Sequence, residues 1–274
     1  MKLAFPVATP DTRDESMLAL RGDLAEAFRL LNQLGYQGAE LMARAPRELN
    51  ATRIRALARE FNLALVGVST GQLRKEDGLQ LCHLDSAERE NAVARTKEVI
   101  DFAREVGAPL VNIGTLRGHL PNSELREAAR EAAAESISEL LDYALKREVG
   151  IALEPQNRFI SNWLNSVGET LEWMSRFEQP NLSLLFDAYH TLFEEASVYA
   201  ALIRAFPRVS HVQVADSNRL APGAGQVHFG ELLRVLAALG YRRFVSVEVL
   251  PLPSAAEAAT RASRCLRPLM EELS

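Results

Sequence analysis

The chain has few of the residues that staple or metallate small secreted scaffolds. Its 274 residues contain two cysteines, Cys82 and Cys265, far apart and outside any CxxC spacing. That argues against a disulfide framework and against a cysteine-ligated structural zinc, and leaves two buried structural thiols as the expectation. No apolar run approaches the roughly 18 residues of a membrane-spanning helix, and the leading MKLAFPVATP is too short in apolar residues for a secretory signal. The expected setting is therefore cytoplasmic, with no membrane partner. Positive charge is not in excess either: a net charge of −5 and a pI near 5.7 give no general footprint for phosphate backbones, which disfavours nucleic acid as a partner. There is no Pro/Gly/Ser-rich linker or charge block, and neither GxGxxG nor GxxxxGK[ST] occurs. The chain thus lacks both the sign of a second domain and the phosphate turn expected of a doubly wound nucleotide-binding sheet.

What is present is a strand–helix rhythm over a chain whose 47% hydrophobic residues suffice for a substantial core. KLAFPV is followed by a helical pattern over 24–34 that ends at Gly35. GAELM precedes RIRALAREF, with Asn50 and Thr52 as cap chemistry. ALVGVST leads into the polar segment GQLRKEDGLQLCHLD, expected to be a lid or substrate-contacting loop, before a helix over 87–106. PLVNIG precedes a long helix expected over 123–146, and GIALEP is followed by a capping-box spacing of Ser166 and Glu169. LSLLFD, VSHVQVA and FVSVEV complete the strands, with helices near 197–205, 229–239 and 255–273. Eight such units predict an α/β fold in which residues 1–274 form a single (β/α)8 TIM barrel domain.

The last four apolar runs each carry one polar residue near the end: Glu154 in IALEP, Asp187 in LSLLFDAYH, Gln213 in VSHVQVAD and Glu248 in FVSVEVL. A carboxylate buried in a strand costs several kcal/mol unless its charge is held. Three acids and an amide at neighbouring strand ends ask for a common cation, and oxygen donors suit a hard divalent ion such as Mn²⁺ or Mg²⁺. Such an ion, chelating a sugar's carbonyl and neighbouring hydroxyl, would acidify the carbon-bound proton between them and stabilise the enediolate left on its removal. Glutamates on the fifth and eighth strands are placed to reach substrate from opposite faces. One takes the proton and the other returns it, which inverts the carbon; a shuttle on one face instead interconverts aldose and ketose.

At these residues the chain resembles the xylose isomerase-like barrel family of sugar isomerases and epimerases, and within it the ketose 3-epimerases, including tagatose, psicose and 5-keto-gluconate epimerases. The likeness runs along essentially the whole chain: STGQ with DGLQL, LEPQNR, FDAYH, ADSNRLAPGAGQVHF and FVSVEVLPLP. It implies a metal set of Glu154, Asp187, Gln213 and Glu248, with Glu154 and Glu248 as the catalytic acid/base pair and His190 and Arg219 binding substrate oxygens. It also implies one divalent ion, Mn²⁺ or Mg²⁺ with Co²⁺ as a further option, a small-molecule sugar substrate, and a homodimer or homotetramer.

Two positions depart from the epimerase pattern. Gln213 stands where epimerase relatives usually carry His, although hydroxypyruvate isomerase-like members use Gln in a similar HIQ pattern. That keeps an aldose–ketose isomerase, or an inosose-type dehydratase, as the alternative activity. Ile160 stands where relatives carry Glu after Asn-Arg-aromatic, so a carboxylate on the substrate side is missing and a metal-bound, sugar-binding pseudoenzyme is the non-enzyme alternative. His211 shares a face with Gln213 but lies about 6.5 Å further down the strand, which favours a supporting or packing role over ligation. His83, His119 and His228 are expected at the surface. The superfamily's abasic-site endonucleases assemble several zinc ions on many histidines; five histidines and an acidic net charge argue against that chemistry here.

Overall fold

All eight apolar runs form strands in the computed structural model, which describes residues 1–122 and 124–273. They are β1 (Lys2–Ala8), β2 (Gly38–Met42), β3 (Ala64–Ser69), β4 (Leu110–Ile113), β5 (Gly150–Leu153), β6 (Leu182–Asp187), β7 (Val209–Val214) and β8 (Phe244–Val247). Each pairs in parallel with its sequence neighbours, and β1 closes on β8 through Lys2–Phe244, Leu3–Val245 and Ala4–Ser246. Every residue of β2 and of β4 is buried, as expected of parallel strands that face helices on one side and the barrel interior on the other. The result is a (β/α)8 barrel.

The helices are α1 (Leu24–Gln33), α2 (Ala51–Glu60), α3 (Gly71–Lys75), α4 (Ser86–Val106), α5 (Arg126–Leu145), α6 (Val167–Met174), α7 (Ala188–Glu194), α8 (Val198–Ala205), α9 (Phe229–Ala238) and α10 (Ala255–Glu271). Local chemistry explains most of their starts. Asp23, Asn50, Asp85, Ser166, Ser197 and Ser254 each accept a backbone N–H of the first turn they precede. Thr52 lies inside α2, so Asn50 alone is its cap. Ser166 caps Glu169 as its spacing predicts, but the Glu169 carboxylate reaches past Ser166 to the backbone N–H groups of Leu164 and Asn165, both at 2.9 Å. Gly107 ends α4 in the left-handed region, at φ 82°.

Two helices were not anticipated. The polar segment after β3 opens with the five-residue α3, and α7 starts directly from β6 because Asp187 is both the last strand residue and the N-cap, accepting from the Tyr189 N–H at 2.8 Å. Ser123, the expected first residue of the fourth long helix, lies outside the described residues; α5 is described from Arg126. Both cysteines are free thiols, Cys82 buried and Cys265 only half-buried, which corrects the expectation for the latter. Among the described residues no helix is long and apolar enough to cross a membrane.

Candidate metal centre at the barrel mouth

The carboxyl ends of the strands surround a cavity of about 540 Å³ lined by Glu154, His190, Arg219 and Glu248. Glu154 and Glu248 are the residues directly after β5 and β8; Asp187 ends β6. One ligand-capable atom each from Glu154, Asp187 and His190 falls within a sphere of contact where all lie within 4.8 Å of one another. Gln213, on β7, sits deeper and is 2% exposed. Its Nε2 donates to both oxygens of Glu40, at 3.0 and 3.2 Å, while its Oε1 is buried without a hydrogen-bond partner.

The electrostatics of this cluster are those of a site short of positive charge. Burial, reinforced by Glu154, pushes the Asp187 carboxyl above its usual range against the pull of His190 and Arg219. Burial also pushes Glu248 up to about 8, with Glu154, Asp187 and Glu40 adding to the effect although Arg219 opposes it. The Arg219 guanidinium lies 2.8 Å from the Glu248 carboxylate and stacks over the Tyr189 ring with 4.8 Å to its centroid. Arg219 has a φ of 59°, a left-handed conformation that a non-glycine residue adopts at a cost, within a loop gathered by Asp216. The Asp216 carboxylate accepts from the backbone N–H groups of Ser217, Gly223 and Val227. A divalent ion fits this donor set: three carboxylates share the one Arg219 guanidinium, and the orphaned Gln213 oxygen is a neutral oxygen donor without a partner.

His190 is oriented by Asn157. The Asn157 side-chain oxygen accepts from the Phe159 N–H, so its amide nitrogen, at 2.8 Å, and its backbone N–H, at 3.4 Å, both face Nδ1 of His190. Two donors aimed at Nδ1 make it the acceptor, and the ring proton therefore sits on Nε2. That nitrogen is 3.4 Å from Glu154 and 3.5 Å from Asp187, facing both carboxylates.

The remaining predicted positions separate cleanly. Ile160 lines the cavity, so the departure from the epimerase pattern falls on the substrate side. His211 lies one pleat below Gln213, buried, with Nε2 3.0 Å from Glu40. His83 is half-buried and His119 and His228 are exposed; none of the three lines the cavity. The segment after β3 does contribute to the mouth, through Gln72, Arg74 and Lys75 of α3. It is tied to the loop after β1: Glu76 accepts the backbone N–H groups of Arg13 and Asp14, and Lys75 reaches Asp14 at 2.6 Å and Ser16 at 2.8 Å.

A model of the xylose isomerase-like TIM barrel family matches residues 28–269. The chain belongs to that family. Among its relatives, an L-ribulose 3-epimerase of Methylomonas sp. is 27% identical over 86% of this chain and 80% of its own length. A 3-dehydro-D-guloside 4-epimerase of Escherichia coli is 23% identical over 82% of this chain and 87% of its own. The structure of a D-psicose 3-epimerase with D-tagatose, from Clostridium cellulolyticum, superposes with a TM-score of 0.81 at 20% identity, over 100% of both chains. That likeness concerns the fold.

Sequence reasoning missed several residues around the centre. Glu40, fully buried in β2 against Gln213, carried a similar signal to the four predicted ligands, a lone acid in the apolar run GAELM. Gln156 donates to the Glu154 carboxylate at 3.0 Å, and the fully buried Arg117 holds the Glu154 backbone carbonyl at 2.9 Å. Gly114, just after β4, is required by close approach: a Cβ there would collide with the Glu154 carboxylate and the Gln156 amide. No local pattern marks Arg117 or Gly114, because Glu154 is brought up to them from the next strand, whereas Gln156 lies two residues from Glu154 in the same segment.

Proposed function

We propose that this chain is a divalent-metal-dependent sugar epimerase that inverts a carbon next to a ketone, on a ketose or keto-acid sugar, through an enediolate. It is an enzyme of the isomerase class. The observation that carries the proposal is the pair Glu154 and Glu248 lining one cavity, with Asp187 clustered on Glu154 beneath it and a buried Gln213 amide oxygen that has no partner. Glu154, Asp187, Gln213 and Glu248 would hold the ion, Mn²⁺ or Mg²⁺ by the hardness of the donors. When bound, it supplies electrophilic stabilisation of the substrate's developing oxyanion.

The protein's own residues do the rest. Glu154 and Glu248, on strands three places apart around the barrel, act as base and acid, one removing the proton and the other returning it on the far face. Arg219, 2.8 Å from Glu248, favours the ionised form of that carboxyl. His190 donates its Nε2 proton to a substrate oxygen, the tautomer being set by Asn157. Ile160 and Met17 give the substrate side an apolar wall.

The test is proton exchange. Mn²⁺-reconstituted protein, incubated with a panel of ketoses and keto-acid sugars in D₂O and followed by NMR, should place deuterium on the carbon beside the ketone with inversion there. Glu248→Gln should abolish it. Label arriving together with aldose formation would replace epimerisation by isomerisation, and stoichiometric metal and sugar binding without exchange would make the protein a binder.

A further inference from the structure

We propose that Glu40 is a positioning residue for the metal centre: from β2, across the barrel interior, it fixes the Gln213 amide so that its carbonyl oxygen is the atom offered to the ion. The inference rests on reading the mouth as a divalent metal site. An amide has two chemically different ends of nearly equal shape, and a metal ligand must present the oxygen. Nothing on β7 itself decides which end faces the centre.

Glu40 decides it. A carboxylate only accepts, and this one is fully buried, with both oxygens within 3.2 Å of Gln213 Nε2. The flipped amide would set oxygen against oxygen between two buried side chains, an arrangement that costs both the lost hydrogen bonds and the repulsion. The Glu40 carboxylate is itself held in place, by the Asn112 side-chain amide on one oxygen and His211 Nε2 on the other. Three residues from β2, β4 and β7 thus form a plug under the centre. Gln213 Oε1 is left buried and partnerless, which is the state of a ligand atom rather than of a packing residue. This also accounts for an amide at position 213: a neutral side chain that donates at one end and accepts at the other is suited to bridge a buried carboxylate and a cation.

The test measures Mn²⁺ affinity without substrate, by the electron paramagnetic resonance signal of the free ion. Glu40→Gln removes the enforced orientation and should weaken Mn²⁺ binding by about ten- to a hundredfold, the usual cost of losing a partner of a metal ligand. In a Gln213→Ala background the same substitution should have no further effect, because the two act through one atom. The exchange variant Glu40→Gln/Gln213→Glu, in which the amide at 40 donates to a carboxylate at 213, should bind Mn²⁺ at least as tightly as the parent; it carries the test should Glu40→Gln alone not fold. A folded Glu40→Gln with parental affinity, additive effects in the cycle, or an exchange variant without recovered binding would each overturn the proposal. A parent protein that takes up no Mn²⁺ would instead overturn the metal reading on which it rests.

Discussion

Two layers of buried charge lie within a few ångströms of each other in this barrel, and they are built on opposite principles. In the lower layer Glu40 is fully buried, a setting that by itself raises a carboxyl; His211 and the hydrogen bonds from His211 and Gln213 outweigh this and hold it below the usual range. In the upper layer burial wins: Asp187 is raised, and Glu248 reaches about 8. Both layers are acidic and largely buried. What separates them is whether partners were supplied by the protein or left to something that binds. A paired buried acid reads as scaffold, and an underpaired one as a site.

The sharpest break of this comparison comes from removing the upper acids. Glu154→Gln and Glu248→Gln should each lower kcat/KM on the substrate found in the exchange panel by about 10²- to 10⁴-fold. The metal-free proteins should melt no lower than the parent, since like charge has been removed. A large fall in melting temperature would place these acids in the scaffold. In the lower layer the ranking reverses: Glu40→Ala should cost about 3–5 kcal/mol in urea unfolding, because it strands the buried Asn112, His211 and Gln213 groups at about 1–3 kcal/mol each. A loss under 1 kcal/mol would show the plug to be dispensable to the fold.

Acidity sharpens the contrast further. The raised pKa of Glu248 means that the folded metal-free protein keeps a proton that the unfolded chain releases near its ordinary value of 4.5. Stability from this group is complete below 4.5 and is lost as pH rises through about 8; Asp187, also raised, acts in the same sense. Melting temperature of the metal-free protein should therefore fall between pH 5 and pH 8, by a shift corresponding to a few kcal/mol at most, and saturating Mn²⁺ should flatten the trend. A metal-free protein equally stable at both ends would contradict the underpaired state of the upper layer. The smallest effect is expected at the rim, where Ile160→Glu should change KM by about tenfold or less, in favour of more hydroxylated substrates and with kcat little altered. A collapse of kcat would move position 160 from the wall into the reacting centre.

Most of the fold was legible because a parallel barrel repeats one unit, and the alternation of apolar runs with helical periods needs no long-range information. The elements that escaped, α3 and α7, are single short helices whose starts depend on strand ends: α7 exists because Asp187 serves as its cap. The placement of Glu154, Asp187, Gln213 and Glu248 near the strand ends was legible for a related reason, each being a polar break in a buried run. Glu40 is a similar break on β2, but it stands at the middle of GAELM and lacks the strand-end position that marks the other four. Arg117 and Gly114 were not legible, since their roles are defined by distances between the ends of β4 and β5. The direction of the Gln213 amide belongs to the same group.

The bond between the two mouth loops bears on how this scaffold can be re-engineered. Because Glu76 receives the Arg13 and Asp14 N–H groups and Lys75 clasps Asp14 and Ser16, the segment after β1 and the segment after β3 behave as one cassette. Transplanting either alone from a relative would strand a carboxylate or two backbone donors. Moved together, they form a portable half of the entrance, separable from the strands that carry the chemistry.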